Sequence, residues 1–209
     1  MGPGVGLTTS SRHDGDRRAV PWRVHDVLAR SRANGPGLRF TVWSQGCSLN
    51  CPGCFNPETH RPGGPVRTAG ELADAALALA GEIEGVTLTG GEPLEQPEAV
   101  AAFCAEVTAR GGLGVVVLTG FTREEIEADP DRLAAVADAD MVVTGRYNPR
   151  LHLGTGLRGS ANKRYWARTD RYRPADFEDL PEAEILIGPG GGLAVTGMDA
   201  AATAAGELR

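Results

Sequence analysis

Val86-Thr87-Leu88-Thr89-Gly90 is a run of aliphatic and β-branched residues that stops on Thr-Gly. Too short for a helix and closed by a turn residue, it reads as a buried strand. The ending recurs. Leu113–Thr119 stops at Gly120 and Asp140–Thr144 at Gly145, so the three glycines are spaced 30 and 25 residues apart. Helical patterns lie between them. Glu71–Ile83 carries apolar residues at Leu72, Ala75, Ala76, Leu79 and Ile83, and Pro97–Arg110 is a second helix. Thr122 opens a third through a capping box with Glu125, and a further helical turn passes Pro130 to about Val136. Strand and helix alternating at this period predict βαβ units, a parallel sheet with helices outside. A closed eight-unit barrel takes about 250 residues, and this chain has 209. The predicted fold is therefore α/β, an open partial (β/α) barrel with parallel strands.

The flanks predict an N-terminal extended segment and a C-terminal hairpin. Trp22–Leu28 and Leu38–Trp43 read as extended, joined as a hairpin or leading into the loop that follows. Glu184–Ile187 and Leu193–Val195 flank Gly188-Pro189-Gly190-Gly191-Gly192, a hairpin pattern. Residues 1–20 hold little to bury and are expected to be a disordered tail, leaving 21–209 as one domain. Between Arg146 and Arg173 the rhythm breaks into a loop-like stretch with eight basic residues.

At 41% hydrophobic and 23% charged residues the chain reads as soluble and globular. No apolar run approaches the ~18–20 residues that span a bilayer, and the N-terminus lacks the apolar core of a secretory signal. A cytoplasmic location and no membrane partner are expected. A formal net charge of −6 argues against nucleic acid as the main ligand.

Three of the four cysteines crowd into Gln45-Gly46-Cys47-Ser48-Leu49-Asn50-Cys51-Pro52-Gly53-Cys54-Phe55-Asn56-Pro57, spaced C-x3-C-x2-C. In a reducing compartment such crowding points to metal binding or catalysis rather than disulfides. Each thiolate can take one iron of a cubic [4Fe–4S] cluster, leaving the fourth iron open to a substrate or cofactor. Electron-transfer ferredoxins normally use four cysteines. A zinc site would need a fourth N or S ligand, for which His60 and Cys104 are the candidates. Cys104, within Ala101-Ala102-Phe103-Cys104, reads first as a small buried hydrophobe. Gly90-Gly91-Glu92-Pro93, at the end of the first strand of the rhythm, would let a ligand approach the backbone closely.

Together, the cysteine loop and the strand-end Gly-Gly-Glu resemble the radical S-adenosylmethionine enzymes. More narrowly, the chain looks like the short activating proteins of anaerobic ribonucleotide reductase. That likeness rests on the cysteine loop, on Leu118-Thr119-Gly120-Phe121-Thr122, on Gly145-Arg146-Tyr147, on Leu157-Arg158-Gly159-Ser160-Ala161-Asn162-Lys163-Arg164 and on Val195-Thr196-Gly197-Met198. It covers roughly residues 22–198. The chain departs from the pattern at Glu92, where the activating proteins usually carry aspartate, and at Thr144, where they tend to carry an acid.

The resemblance implies that Cys47, Cys51 and Cys54 hold a [4Fe–4S] cluster whose open iron is chelated by the amino and carboxylate groups of S-adenosylmethionine. Reductive cleavage of the sulfonium then yields a 5′-deoxyadenosyl radical. Gly90, Gly91 and Glu92 would contact the amino end of the methionine. Arg146 would pair with its carboxylate or remain a surface arginine, and Thr119 and Thr144 would reach the ribose or serve only the strands. The 158–164 loop would order over the mouth, dock a partner, or stay solvated. No residue is singled out as catalytic. Expected partners are a reductant such as flavodoxin or ferredoxin and a large glycyl-radical enzyme on which the radical is installed. Two other readings stay open: the same chemistry on a small molecule or peptide, and a non-catalytic iron–sulfur or zinc module.

Overall fold

The chain enters the sheet through β1 (Pro21–Ser31), which turns back antiparallel into β2 (Arg39–Ser44). The cysteine loop follows, then the short strand β3 (Val66–Thr68), antiparallel to β1, and helix α1 (Ala69–Leu77). Strand β4 (Gly85–Gly90), helix α2 (Pro97–Gly111) and strand β5 (Gly114–Leu118) continue the chain. Next come helices α3 (Arg123–Glu127) and α4 (Pro130–Ala135), then strands β6 (Met141–Thr144) and β7 (Arg164–Ala167). A separate antiparallel pair, β8 (Glu184–Ile187) and β9 (Leu193–Thr196), completes the elements. The computed structural model describes residues 17–187 and 191–198.

Seven strands share one sheet in the order β3-β1-β2-β4-β5-β6-β7, with β2, β4, β5 and β6 parallel and both edges antiparallel. The sheet does not close, as the chain length predicts. Alternation along its strands feeds two cores. Val115, Val117 and Val142 point to the face covered by the helices, where they join Leu72, Val100 and Phe103. Val116, Leu118, Met141 and Val143 point the other way, onto Leu157, Tyr172 and Phe177. Strands buried on both faces read as continuous apolar runs.

The helices begin where their sequences provide caps. Thr68 Oγ1 accepts from Glu71 N at 3.1 Å while the Glu71 carboxylate accepts from Thr68 N at 2.9 Å, and Thr122 with Glu125 repeats the device for α3. α2 stops at Gly112, which takes a left-handed φ of 59°. α1 is shorter than its apolar period predicts. After Leu77 the Leu79 and Ala80 amides bond three residues back, tightening the chain into turns that bring Ile83 into the core and deliver β4.

Two further expectations need correction. The segment from Arg146 to Arg173 is not simply a loop: β7 pairs antiparallel with β6, and Leu157 and Tyr172 build the second core. Of the expected tail, residues 1–16 lie outside the described residues, as do 188–190 of the hairpin turn and 199–209. Arg18 is not free tail; it pairs with Asp74 at 2.6 Å and with Glu106, and Val20 packs on the core. No helix among the described residues is long and apolar enough to cross a membrane.

At the N-terminal ends of the parallel strands a fully buried arginine ties the layers together. Arg39 donates to Thr87 Oγ1 at 2.7 Å, Gly114 O at 2.9 Å, Tyr172 Oη at 3.0 Å and Pro36 O at 3.1 Å, and also to Val86 O. Burial pushes its pKa down while the Tyr172 hydroxyl opposes the shift. The terminal hairpin is fastened nearby through Asn34 Nδ2 to Thr196 Oγ1 at 2.9 Å and Ser31 Oγ to Glu184 Oε2 at 2.8 Å. Replacing Arg39 by Met keeps the stem but strands several buried acceptors. Arg39→Met is expected to cost about 3 kcal/mol or more, read as a fall in the urea midpoint; a loss below about 1 kcal/mol would show that the guanidinium is dispensable.

Candidate functional site

β2 delivers the chain to Gly46, whose φ of 102° starts the cysteine loop. The root of the loop is pinned from both sides. Gly46 N donates to Thr59 O at 2.8 Å and Cys47 N to His60 O at 3.3 Å. Gln45 Nε2 donates to Arg61 O at 2.7 Å and Glu58 O at 3.2 Å, and its Oε1 lies 2.9 Å from His25 Nδ1. Asn50 (φ 45°) and Gly53 (φ 67°) bend the loop between the cysteines.

The end of β4 forms the seat for this loop. Gly91 N donates to Ser44 O and Glu92 N to Gly46 O, both at 2.9 Å. A Cβ on Gly91 would stand 2.3 Å from Gly46 O, and one on Gly90, at φ 95°, 2.7 Å from Ser44 N. Gly91 is thus required by backbone approach to the start of the cysteine loop, and Gly90 by approach to the end of β2. Farther along, Ser48 N and Oγ both donate to Glu95 Oε1, at 2.9 and 2.6 Å.

The three loop cysteines, Gly90 and Gly91 line one cavity of about 100 Å³. A neighbouring pocket of about 260 Å³, lined by His25, Trp43 and Thr196, shares Phe55, Asn56, Thr89 and Met198 with it. Cys47, Cys51 and Cys54 are half-buried free thiols. Burial pushes Cys47 up to about 11 and raises Cys54, against backbone N–H groups that favour the thiolate. Both are therefore neutral thiols near pH 7 until a metal displaces the proton. Cys104 is fully buried in α2, does not line the cavity, and has its pKa driven up by burial.

The residues present fit an iron–sulfur cluster. Beside the thiols, His60 lines the cavity and its Nε2 is buried with no hydrogen-bond partner among the described residues. Among the described residues no three Cys, His, Asp or Glu side chains converge closely enough to hold a single ion. A cubane does not ask for that convergence, because each thiolate takes a different iron.

Of the remaining residues singled out in the sequence, Glu92 and Thr119 line the cavity, whereas Thr144 and Arg146 do not. Glu92 is buried; its Oε1 accepts from Thr119 Oγ1 at 2.7 Å and Leu94 N at 2.9 Å, and its Oε2 from Gly120 N at 2.7 Å. It ties the ends of β4 and β5 together, and burial raises its pKa. The Thr119 hydroxyl is spent on Glu92, and that of Thr144 points to Arg164 O at 3.3 Å. Arg146 grips Glu125 in a two-pronged pair at 2.7 and 2.9 Å. Lys163, Tyr147 and Met198, which the sequence reading named only within the resembling motifs and gave no site role of their own, all stand on the cavity wall. Tyr147 packs against Phe55 with ring centroids 4.7 Å apart and planes tilted by 52°, and its hydroxyl meets His152 Nδ1 at 3.2 Å.

The Arg146 pair holds the Glu125 carboxyl down at about 2, with the Thr122 amide assisting. Its contribution to stability is complete above the ordinary glutamate pKa, near 4.3, and is lost as pH falls toward 2. In Arg146→Ala the Glu125 carboxyl carbon, followed by NMR, is expected to titrate higher, toward the ordinary range. An unchanged midpoint would mean that the pair does not exist in solution.

The chain matches the family described as "4Fe-4S single cluster domain" over residues 33–166. The pyruvate formate-lyase-activating enzyme of Listeria monocytogenes is 36% identical over 150 residues, covering 66% of this chain and 59% of that protein. The chain thus spans somewhat over half the length of that relative. The anaerobic ribonucleoside-triphosphate reductase-activating protein of Enterobacteria phage T4 is 32% identical over 142 residues, 66% of this chain and 88% of that one. With more than half of its length inside the family match, this chain belongs to the 4Fe-4S single cluster domain family, within the radical S-adenosylmethionine superfamily that its cysteine loop resembles.

Proposed function

We propose that this chain is an activase: a radical S-adenosylmethionine enzyme that removes hydrogen from a glycine of a large partner enzyme and so installs a glycyl radical there. The observation that carries the reading is the meeting of three free thiols with the Gly90-Gly91 strand end in one cavity, while the fourth cysteine is buried elsewhere. Three protein thiolates leave one cubane corner for a cofactor. The relatives support the choice of substrate class, since the names of both describe the activation of another enzyme.

In this reading Cys47, Cys51 and Cys54 hold the cluster, and the Gly90-Gly91 backbone with Glu92 faces the amino end of the methionine. Loaded with both groups, the site supplies hydrogen-atom abstraction driven by one-electron cleavage of the sulfonium. The protein's own part is positioning and the exclusion of water. Glu92 keeps the ends of β4 and β5 in register, and Phe55, Tyr147 and Leu157 shield the cavity wall. A reductant such as flavodoxin or ferredoxin would supply the electron, and the cytoplasm would keep the thiols reduced.

Reconstitution with iron and sulfide under anaerobic conditions tests the reading. Given dithionite and S-adenosylmethionine, the protein is expected to release 5′-deoxyadenosine, and Cys51→Ala to release none. Added glycyl-radical enzyme should gain the electron paramagnetic resonance doublet of a glycyl radical. Release of 5′-deoxyadenosine with no radical on any such partner would move the substrate to a small molecule or peptide. A protein that binds only zinc would end the enzymatic reading.

A further inference from the structure

Lys163 is the one lysine or arginine among the described residues that line the cavity. Its backbone is held by a braced loop. Ala161 N donates to Leu151 O at 2.7 Å, Leu153 N to Gly159 O at 2.9 Å, and Lys163 N to Ser160 O at 3.1 Å. The buried Ser160 accepts from Asn148 N at 3.2 Å, and Asn162 Nδ2 donates to Arg146 O at 2.8 Å. The ammonium is therefore carried on a fixed support and not on a free arm.

What surrounds that ammonium is incomplete. It feels Glu92, Cys51 and Cys54 through space but makes no hydrogen bond or ion pair with them, and burial pulls its pKa down. Glu92 is already engaged by Thr119, Gly120 and Leu94. The other cation expected near the site, Arg146, is committed to Glu125. Lys163 is half-buried, and a partly desolvated charge without a bonded partner gains from a ligand that brings the counter-charge. One cavity is thus lined by the carboxylate residue Glu92, the ammonium residue Lys163 and the glycine backbone of Gly90-Gly91. That is the complement of an α-amino acid head group, with one positive and one negative end.

We propose that Lys163 is the positioning residue that receives the α-carboxylate of S-adenosylmethionine, opposite Glu92 at the amino end. The inference rests on the function proposed above and adds to it the residue that orients the cofactor. A charge-assisted hydrogen bond to a carboxylate is strong enough to govern binding. The amide of glutamine retains reach but not charge, and arginine restores the charge.

Wild type, Lys163→Gln and Lys163→Arg would be reconstituted anaerobically and their iron and sulfide content measured. S-adenosylmethionine would then be titrated into the reduced cluster, with binding read from the change in its electron paramagnetic resonance spectrum. Lys163→Gln is expected to carry a full cluster but to bind S-adenosylmethionine roughly ten- to a hundred-fold more weakly, with Lys163→Arg recovering most of the loss. Decarboxylated S-adenosylmethionine, which lacks the group in question, should bind wild type and Lys163→Gln alike. Equal affinity of wild type and Lys163→Gln for S-adenosylmethionine overturns the proposal while leaving the function standing. So does a Lys163→Gln protein that holds no cluster, or an equal loss of affinity for the decarboxylated probe. A wild type that carries the cluster yet binds no S-adenosylmethionine removes the function and this inference together.

Discussion

The contact on which the site depends is a backbone one: Gly91 passes so close to Gly46 that a methyl carbon there would stand 2.3 Å from the Gly46 carbonyl oxygen. Nothing with a side chain can occupy that crossing without moving the cysteine loop off the end of β4. Two hydrogen bonds, Gly91 N to Ser44 O and Glu92 N to Gly46 O, are made through the same approach. A loop carrying three cysteines has little apolar surface with which to hold itself. It borrows rigidity from the sheet, and the sheet can lend it only where the backbones touch. Glu92 extends this coupling sideways, since its carboxylate joins the end of β4 to Thr119 and Gly120 at the end of β5.

The two ends of the parallel strands solve opposite problems. At the N-terminal end Arg39 fills the space with a guanidinium and satisfies carbonyls of β4 and β5, together with the Thr87 and Tyr172 hydroxyls. Substitution there is a matter of stability. At the C-terminal end glycines leave space unfilled, and the polar groups around it are only partly satisfied: His60 Nε2 is buried without a partner among the described residues. Folded proteins rarely leave such atoms orphaned unless a ligand or water completes them. The division matches the general habit of barrel-like α/β folds, in which strand C-termini carry sites and the opposite ends carry stability.

Much of this was legible because buried parallel strands have few ways to be written. Val115-Val116-Val117-Leu118 is apolar at every position since both faces are covered, and each crossover helix announces itself through Pro97 or the Thr122–Glu125 capping box. The cysteine spacing was equally plain. What stayed hidden depends on contacts between distant residues. Leu157, Tyr172 and Phe177 are too far apart to make a period, yet they close the second core, and Arg164–Ala167 hides a strand among basic residues. Arg146 and Glu125 are 21 residues apart, so no local pattern could say that the arginine has a carboxylate of its own. The Gly90-Gly91 pair was legible as a site, but its tightest neighbour proved to be the cysteine loop.

The basic segment shows why charge counting says little about such a site. A chain of net charge −6 gathers eight basic residues between Arg146 and Arg173, a pattern that alone invites an anionic partner. Most of these charges are answered inside the molecule. Arg146 is held by Glu125 and Arg171 by Glu84. Arg158 lies 5.4 Å over Tyr165 and Arg168 4.5 Å over Trp166, where a guanidinium also stacks. Arg164 donates to the carbonyls of Ala161 and Lys163 and so helps to fasten its own loop. The arginines thus act as the framework that places a neighbour. Lys163, whose compact ammonium cannot stack or fork as they do, is the one turned to the cavity. A charge beside a small, partly desolvated space acts more strongly than several charges in water, so the lysine on the cavity wall bears on the site more than the sum over the segment does.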